Sequence, residues 1–189
     1  MDVFLKEIAN LKQGHKILIN GASGSLGTAA VQLAKYFGAE VTGVCSSGNI
    51  GLVKSLGADN VIDYTKEDFS KLNKSFDIVY DTVGKSSFNE CKSLLSTDGV
   101  YISPVLKFDL LFQMIFTSLF SKKKAKFAAS GLKSDSELKD LLNEIIDIFK
   151  EGKIKTIIDR QFPLEKVAQA HSYIERGHKK GNVVIVIKS

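Results

Sequence analysis

From His15 to Gly38 the sequence passes from a short apolar run, HKILIN, through the glycine-punctuated stretch NGASGSLGTAA into the helical pattern SLGTAAVQLAKYFG. That order constrains the fold more than any other feature of the chain. A buried strand that turns at once into a helix leaves the first helical N–H groups without partners, and the helix dipole adds partial positive charge at the same spot. Gly21, Gly24 and Gly27 lie three residues apart across this junction. Gly24 lets the backbone approach an anion, and Gly27 lets the new helix pack closely on the strand. A bare glycine pattern is compatible with a corner that binds nothing. At the first strand-to-helix junction of an alternating chain it points instead to a pyrophosphate, held by the amides around Ser25 and Leu26.

The rest of the chain continues the alternation. Glu40 to Cys45 reads as a strand, Ile50 to Gly57 as a short helix with a glycine stop, and Asn60 to Tyr64 as a strand. Phe76 to Asp81, a helix over roughly Ser87 to Leu95, and the strand Gly99 to Ser103 follow. AKFAAS, residues 125–130, reads as one more strand, ahead of an amphipathic helix over about Asp135 to Lys150. Such a sequence implies crossover connections, a parallel sheet and helices on both faces: an α/β, doubly wound Rossmann fold. At 189 residues the chain can bury one sizeable core.

Composition narrows the function. The formal charge of +5 comes almost wholly from lysine, with Arg160 and Arg176 as the arginines, so the planar forks that read nucleic acid are scarce and no nucleic-acid partner is expected. Cys45 and Cys91 stand far apart with no CxxC spacing, which gives neither a zinc signature nor a disulfide framework and fits a reducing cytoplasm. His15, His171 and His178 have no cysteine or carboxylate at ligand spacing, so no metal site is expected. The most apolar window, Leu110 to Phe120, is far shorter than the roughly 20 residues that cross a bilayer, and no membrane insertion is expected. No tyrosine is followed four positions later by lysine, so the Tyr-x-x-x-Lys pair of short-chain dehydrogenases is absent.

GASGSLGTAAVQLAKYFGAEVTGVCSSGN, LGADNVIDYTKEDF, YDTVG and the C-terminal GKIKTIIDRQFPLEKVAQAHSYIERGHKKGNVVIVI together resemble the nucleotide-binding domain of medium-chain dehydrogenases/reductases, in their zinc-free quinone oxidoreductase and enone reductase branch. The resemblance implies a six-stranded sheet with a nicotinamide dinucleotide across the carboxyl ends of its strands. It also implies hydride transfer to a quinone or an activated alkene or carbonyl, and a homodimer formed by pairing edge strands, here residues 125–130. Candidate cofactor contacts are Ala22, Gly24, Ser25, Leu26 and Gly27 in the glycine loop, Ser46 and Ser47 after the second strand, Tyr64 beside adenosine and Val83 beside the nicotinamide ribose.

Where an NAD site usually presents a carboxylate, this chain has Cys45, Ser46 and Ser47. A carboxylate facing a 2′-phosphate would cost on the order of 4 kcal/mol at ~4 Å and an effective dielectric of ~20, so its absence favours NADPH. A basic residue common in the family near this loop is replaced by Gly48 or Asn49, with Lys54 as a possible substitute. The family's second, catalytic domain would precede His15, where this sequence has only MDVFLKEIANLKQG. The expected division is therefore a Rossmann domain over 1–155 and a segment over 156–189 that in the family returns to the catalytic domain. Asn182 to Ile187 is then expected as a strand without its usual partner. No catalytic residue is assigned, and a non-catalytic module that senses NADPH or mediates interactions is the alternative.

Overall fold

The computed structural model describes residues 3–128, 134–177 and 179–187. A π-helical segment, Val3–Ile8, leads to β1 (Lys16–Asn20), α1 (Ser25–Tyr36), β2 (Glu40–Cys45), α2 (Ile50–Ser55), β3 (Asn60–Asp63) and β4 (Phe76–Asp81). There follow α3 (Phe88–Cys91), β5 (Leu95–Ser103), α4 (Phe108–Phe120), β6 (Lys124–Phe127) and α5 (Asp135–Lys150), then β7 (Ile158–Pro163), α6 (Val167–Glu175) and β8 (Asn182–Val186).

β1 to β6 form one parallel sheet in the order β3-β2-β1-β4-β5-β6, so the strand order reverses between β1 and β4. Parallel strands buried on both faces read as continuous apolar runs. Side chains then alternate between two cores: Ile17, Ile19, Ile78 and Tyr80 join α1, α2 and α5 on one face, while Leu18, Val79 and Tyr101 join α3 and α4 on the other. The doubly wound α/β reading thus describes the molecule. Serine-x-x-glutamate capping boxes start both α3 and α5, from Ser87 with Glu90 and from Ser134 with Glu137.

Three elements differ from the sequence expectations. β5 begins at Leu95 rather than Gly99, because Leu95 pairs with Phe76 ahead of a register shift. The described part of β6 is Lys124–Phe127; Ala129 and Ser130 of the AKFAAS run lie outside the described residues. The strand expected over Asn182 to Ile187 is present as β8, and it pairs in parallel with β7, a strand not marked in the sequence, from Ile158 opposite Asn182 to Pro163 opposite Val186. β7 itself has no alternating apolar pattern that would have announced it.

Candidate cofactor site

The site is built at the carboxyl ends of β1, β2 and β4. Gly21 follows β1 with φ +80, a left-handed conformation, and both its N–H and that of Ala22 donate to the Val44 carbonyl of β2, at 3.1 and 3.0 Å. A Cβ on Gly27 would stand 2.1 Å from the Gly21 carbonyl oxygen, so only glycine lets α1 come this close to the turn. Gly24 differs. It has ordinary extended dihedrals, and a Cβ there would meet nothing nearer than the Gly21 oxygen at 3.4 Å. α1 has no side-chain cap and no acid in its first turn, which leaves its N-terminal amides and dipole facing an open space.

That space is a cavity of about 610 Å³ lined by Gly24, Ser25 and Leu26 at its floor, Ser46 and Tyr64 at one end and Val83 at the other. Of the remaining candidates, Ala22 is fully buried beneath the turn and Gly27 is buried in the helix, so neither lines the cavity.

The end by Val83 is organised by Asp81. Its carboxylate is fully buried and accepts from Asn20 Nδ2 (3.1 Å), the N–H groups of Val83 (3.1 Å), Gly84 (3.0 Å) and Ser86 (2.9 Å), and the Tyr101 hydroxyl (3.2 Å). Burial first, then the Asp81 charge, pushes the Tyr101 phenol far above its ordinary value, so it stays a proton donor. Thr82 Oγ1 donates to the Asn20 carbonyl at 2.7 Å, which ties the loop after β4 to the end of β1. Val83 is left half-exposed toward the cavity.

At the opposite end, Asn49 donates from Nδ2 to Ser23 Oγ and Ser46 Oγ, both at 3.1 Å, and so ties the glycine loop to the loop after β2. Ser47 does not reach the cavity; its hydroxyl donates to Asp63. Asp63 lies opposite Cys45 in register and also accepts from Thr65 N (3.0 Å) and Thr65 Oγ1 (2.7 Å). The Ser47 and Thr65 hydrogen bonds hold its carboxyl below the usual range. Burial, with the neighbouring Asp63 charge, pushes the Cys45 thiol up to about 11, so it is no nucleophile at neutral pH. Lys54 is exposed on α2 and does not line the cavity.

The fourth wall comes from far along the chain, and sequence reading missed it. The turn before β8 docks on the glycine loop: Gly181 N donates to the Ser23 carbonyl at 2.8 Å, and Ser25 Oγ donates to the Gly181 carbonyl at 2.8 Å. Lys179 Nζ donates to Ser25 Oγ and, at 2.7 Å, to the Gly181 carbonyl. Partial burial lowers its ammonium pKa from the ordinary value. Lys179 and Lys180 both line the cavity. The residues of this turn were visible in sequence only as a lysine pair before a glycine.

A parallel sheet of this order, with a glycine loop and a cavity at its point of reversal, defines a dinucleotide-binding class of protein. The sequence pattern of the zinc-binding dehydrogenases matches residues 56–185, and the chain belongs to that family, the medium-chain dehydrogenases/reductases, in the quinone oxidoreductase and enone reductase branch. It is 35% identical over 198 residues to the mitochondrial NAD(P)H oxidoreductase RTN4IP1 of Mus musculus, covering 92% of this chain and 48% of that protein. It is 35% identical over 183 residues to the 2-methylene-furan-3-one reductase of Solanum lycopersicum, covering 95% of this chain and 42% of that protein. The quinone oxidoreductase of Coxiella burnetii superposes with a TM-score of 0.84 at 27% identity, over 98% of this chain and 57% of that one. The chain thus spans about half the length of the curated relatives it matches. Among the described residues no three or more His, Cys, Asp or Glu side chains gather as a metal site, and no helix is long and apolar enough to cross a membrane.

Proposed function

We propose that the chain is the NADPH-binding part of an oxidoreductase that transfers hydride to a quinone or to an activated alkene or carbonyl. The observation that carries this reading is the cavity at the reversal of strand order, floored by the uncapped start of α1 and walled by two lysines. Its donor set fits a dinucleotide: unpaired helix amides and ammonium groups for phosphates, and a space where Gly24 presents no Cβ. Bound nicotinamide supplies the hydride. The chain's own part is to hold the phosphates at Ser25 and Leu26, to seat the adenosine end by Ser46 and Tyr64, and to fix the loop bearing Val83 through Asp81. NADPH is favoured over NADH because the loop after β2 carries no carboxylate and Asp63 is already occupied by Ser47 and Thr65.

Residues 1–155 form the nucleotide-binding unit in this reading, and 156–189 return toward a catalytic domain in a longer protein, which contributes most of the substrate pocket. The reading is supported by relatives whose names are NAD(P)H oxidoreductase, 2-methylene-furan-3-one reductase and quinone-oxidoreductase. A cytoplasmic location is our expectation from the two free, buried cysteines, although names among the relatives include mitochondrial and chloroplastic proteins. A homodimer through β6 is part of the same proposal. Titration calorimetry with NADPH and NADH tests the cofactor, with tighter NADPH binding expected. A reductase assay with quinones and enones, run on this chain and on a longer parent, tests the reaction. NADPH binding without turnover in either would leave a sensing or interaction module in its place.

A further inference from the structure

The loop after β2 offers no cation to a 2′-phosphate: Lys54 does not line the cavity, and the loop itself carries Gly48 and Asn49. The structure brings one from elsewhere. Lys180 Nζ lies 3.5 Å from the Gly48 carbonyl, at the limit of a hydrogen bond, and among the described residues it has no carboxylate within ion-pair distance. Its neighbour Lys179 reaches the other way, to Ser25 at the start of α1. With Lys179 Nζ at Ser25 and Lys180 Nζ near Gly48, two adjacent lysines reach two separate regions of one cavity.

We propose that these lysines divide the phosphates of the dinucleotide between them. Lys179 joins the α1 amides at the pyrophosphate, Lys180 holds the ribose 2′-phosphate beside Ser46, and the choice of NADPH over NADH is made by the C-terminal segment. This rests on the NADPH reading above and assigns its selectivity to a residue. The backbone that carries the pair is fixed in advance. Lys180 N donates to Asp159 Oδ2 at 3.1 Å, Tyr173 OH holds the same oxygen at 2.6 Å, and Asn182 N donates to the Ile157 carbonyl at 2.7 Å. Gly181, with φ +65, makes the turn between the lysines and β8. Lysine acts on a phosphate as a point charge, so no bidentate geometry is needed.

The test is binding, read by calorimetry on the whole chain. The probes are NADPH, NADH, adenosine 2′,5′-bisphosphate, adenosine 5′-monophosphate and adenosine 5′-diphosphate. Lys180→Ala should weaken NADPH and the 2′,5′-bisphosphate by about tenfold or more, the range of a lost charge-assisted hydrogen bond, and leave NADH and the 5′-diphosphate unchanged. Lys179→Ala should weaken both dinucleotides by one common factor and reduce the advantage of the 5′-diphosphate over the monophosphate to what the α1 amides supply. Lys180→Met, which keeps the packing of the stem, should repeat the alanine result, and Lys180→Arg should restore selectivity. A Lys180→Met protein that still prefers NADPH overturns the division of roles while leaving the NADPH reading intact. Equal affinities for NADPH and NADH in the unaltered chain would overturn both.

Discussion

Two glycines three residues apart carry different burdens, and the difference can be measured. A valine at Gly24 would push its side chain toward the space assigned to phosphate, while the nearest protein atom, the Gly21 oxygen, allows ordinary contact. Gly24→Val should therefore keep a folded circular-dichroism spectrum and lose dinucleotide binding. Retained binding would mean that the glycines only turn a corner. Gly27→Val would drive a Cβ into backbone at 2.1 Å, and this variant should fail to fold rather than fail to bind. Asp81 makes a second test. Asn cannot accept at both positions, so Asp81→Asn leaves the Ser86 N–H facing an amide NH2 at a fully buried site, at roughly 1–3 kcal/mol for one orphaned group, while Tyr101 OH still donates to the Ser86 carbonyl at 3.0 Å. Chemical denaturation should show a loss of that size, and a loss under about 0.5 kcal/mol, the scale of an ordinary surface substitution, would mean that Asp81 does not organise the loop. Ser46→Asp is expected to reverse the order of NADPH and NADH, because Ser46 lines the cavity where Ser47 does not.

At the scale of elements, the strands and helices of the sheet could be read from the sequence because each obeys a local rule: period two, period near four, a glycine stop, a serine cap. What could not be read was pairing. β7 has polar residues at three of its six positions, bunched in the middle without alternation, and it takes its place as a strand beside β8. The site was legible in the same proportion. The glycine loop announced itself, whereas Asn49, Asp63 and the lysine pair act through contacts that no local pattern encodes. At the β6 edge, Lys124 donates to the Thr117 and Ser118 carbonyls at the end of α4, Lys123 to the Lys92 carbonyl and Lys126 to the Ile8 carbonyl. α4, meanwhile, is apolar toward solvent as well as toward the sheet, with Phe108, Phe112, Ile115, Leu119 and Phe120 largely exposed. Ala128 N donates to Ser103 O in β5, so by alternation the N–H of Phe127 faces the open edge. Phe127→Pro removes that outward donor and should convert a dimer to a monomer of 20.7 kDa in sedimentation at micromolar concentration. If the unaltered chain is already a monomer on concentration, the paired-edge arrangement is wrong.

For the molecule as a whole, the C-terminal β7–α6–β8 unit is part of the cofactor site as well as a route to another domain. Gly181 shows how it is attached: its φ is +65, and a Cβ would lie 2.4 Å from the Ile157 carbonyl oxygen. Gly181→Val should loosen the turn at roughly 2 kcal/mol of strain, a fall of about 4–8 °C in Tm for a chain of this size, with weaker binding of both dinucleotides. Unchanged binding would separate the unit from the site. The attachment also sets a schedule. Ser25 and Lys179 are 154 residues apart, and at roughly 5–20 residues per second a ribosome delivers the second on the order of ten to thirty seconds after the first. During that interval the residues of the first strand, the glycine turn and the start of α1 have been synthesised, but the wall that faces them from the other side has not. A dinucleotide that meets the nascent chain finds the α1 amides without the two lysines, so its full affinity is expected only once translation has passed Gly181.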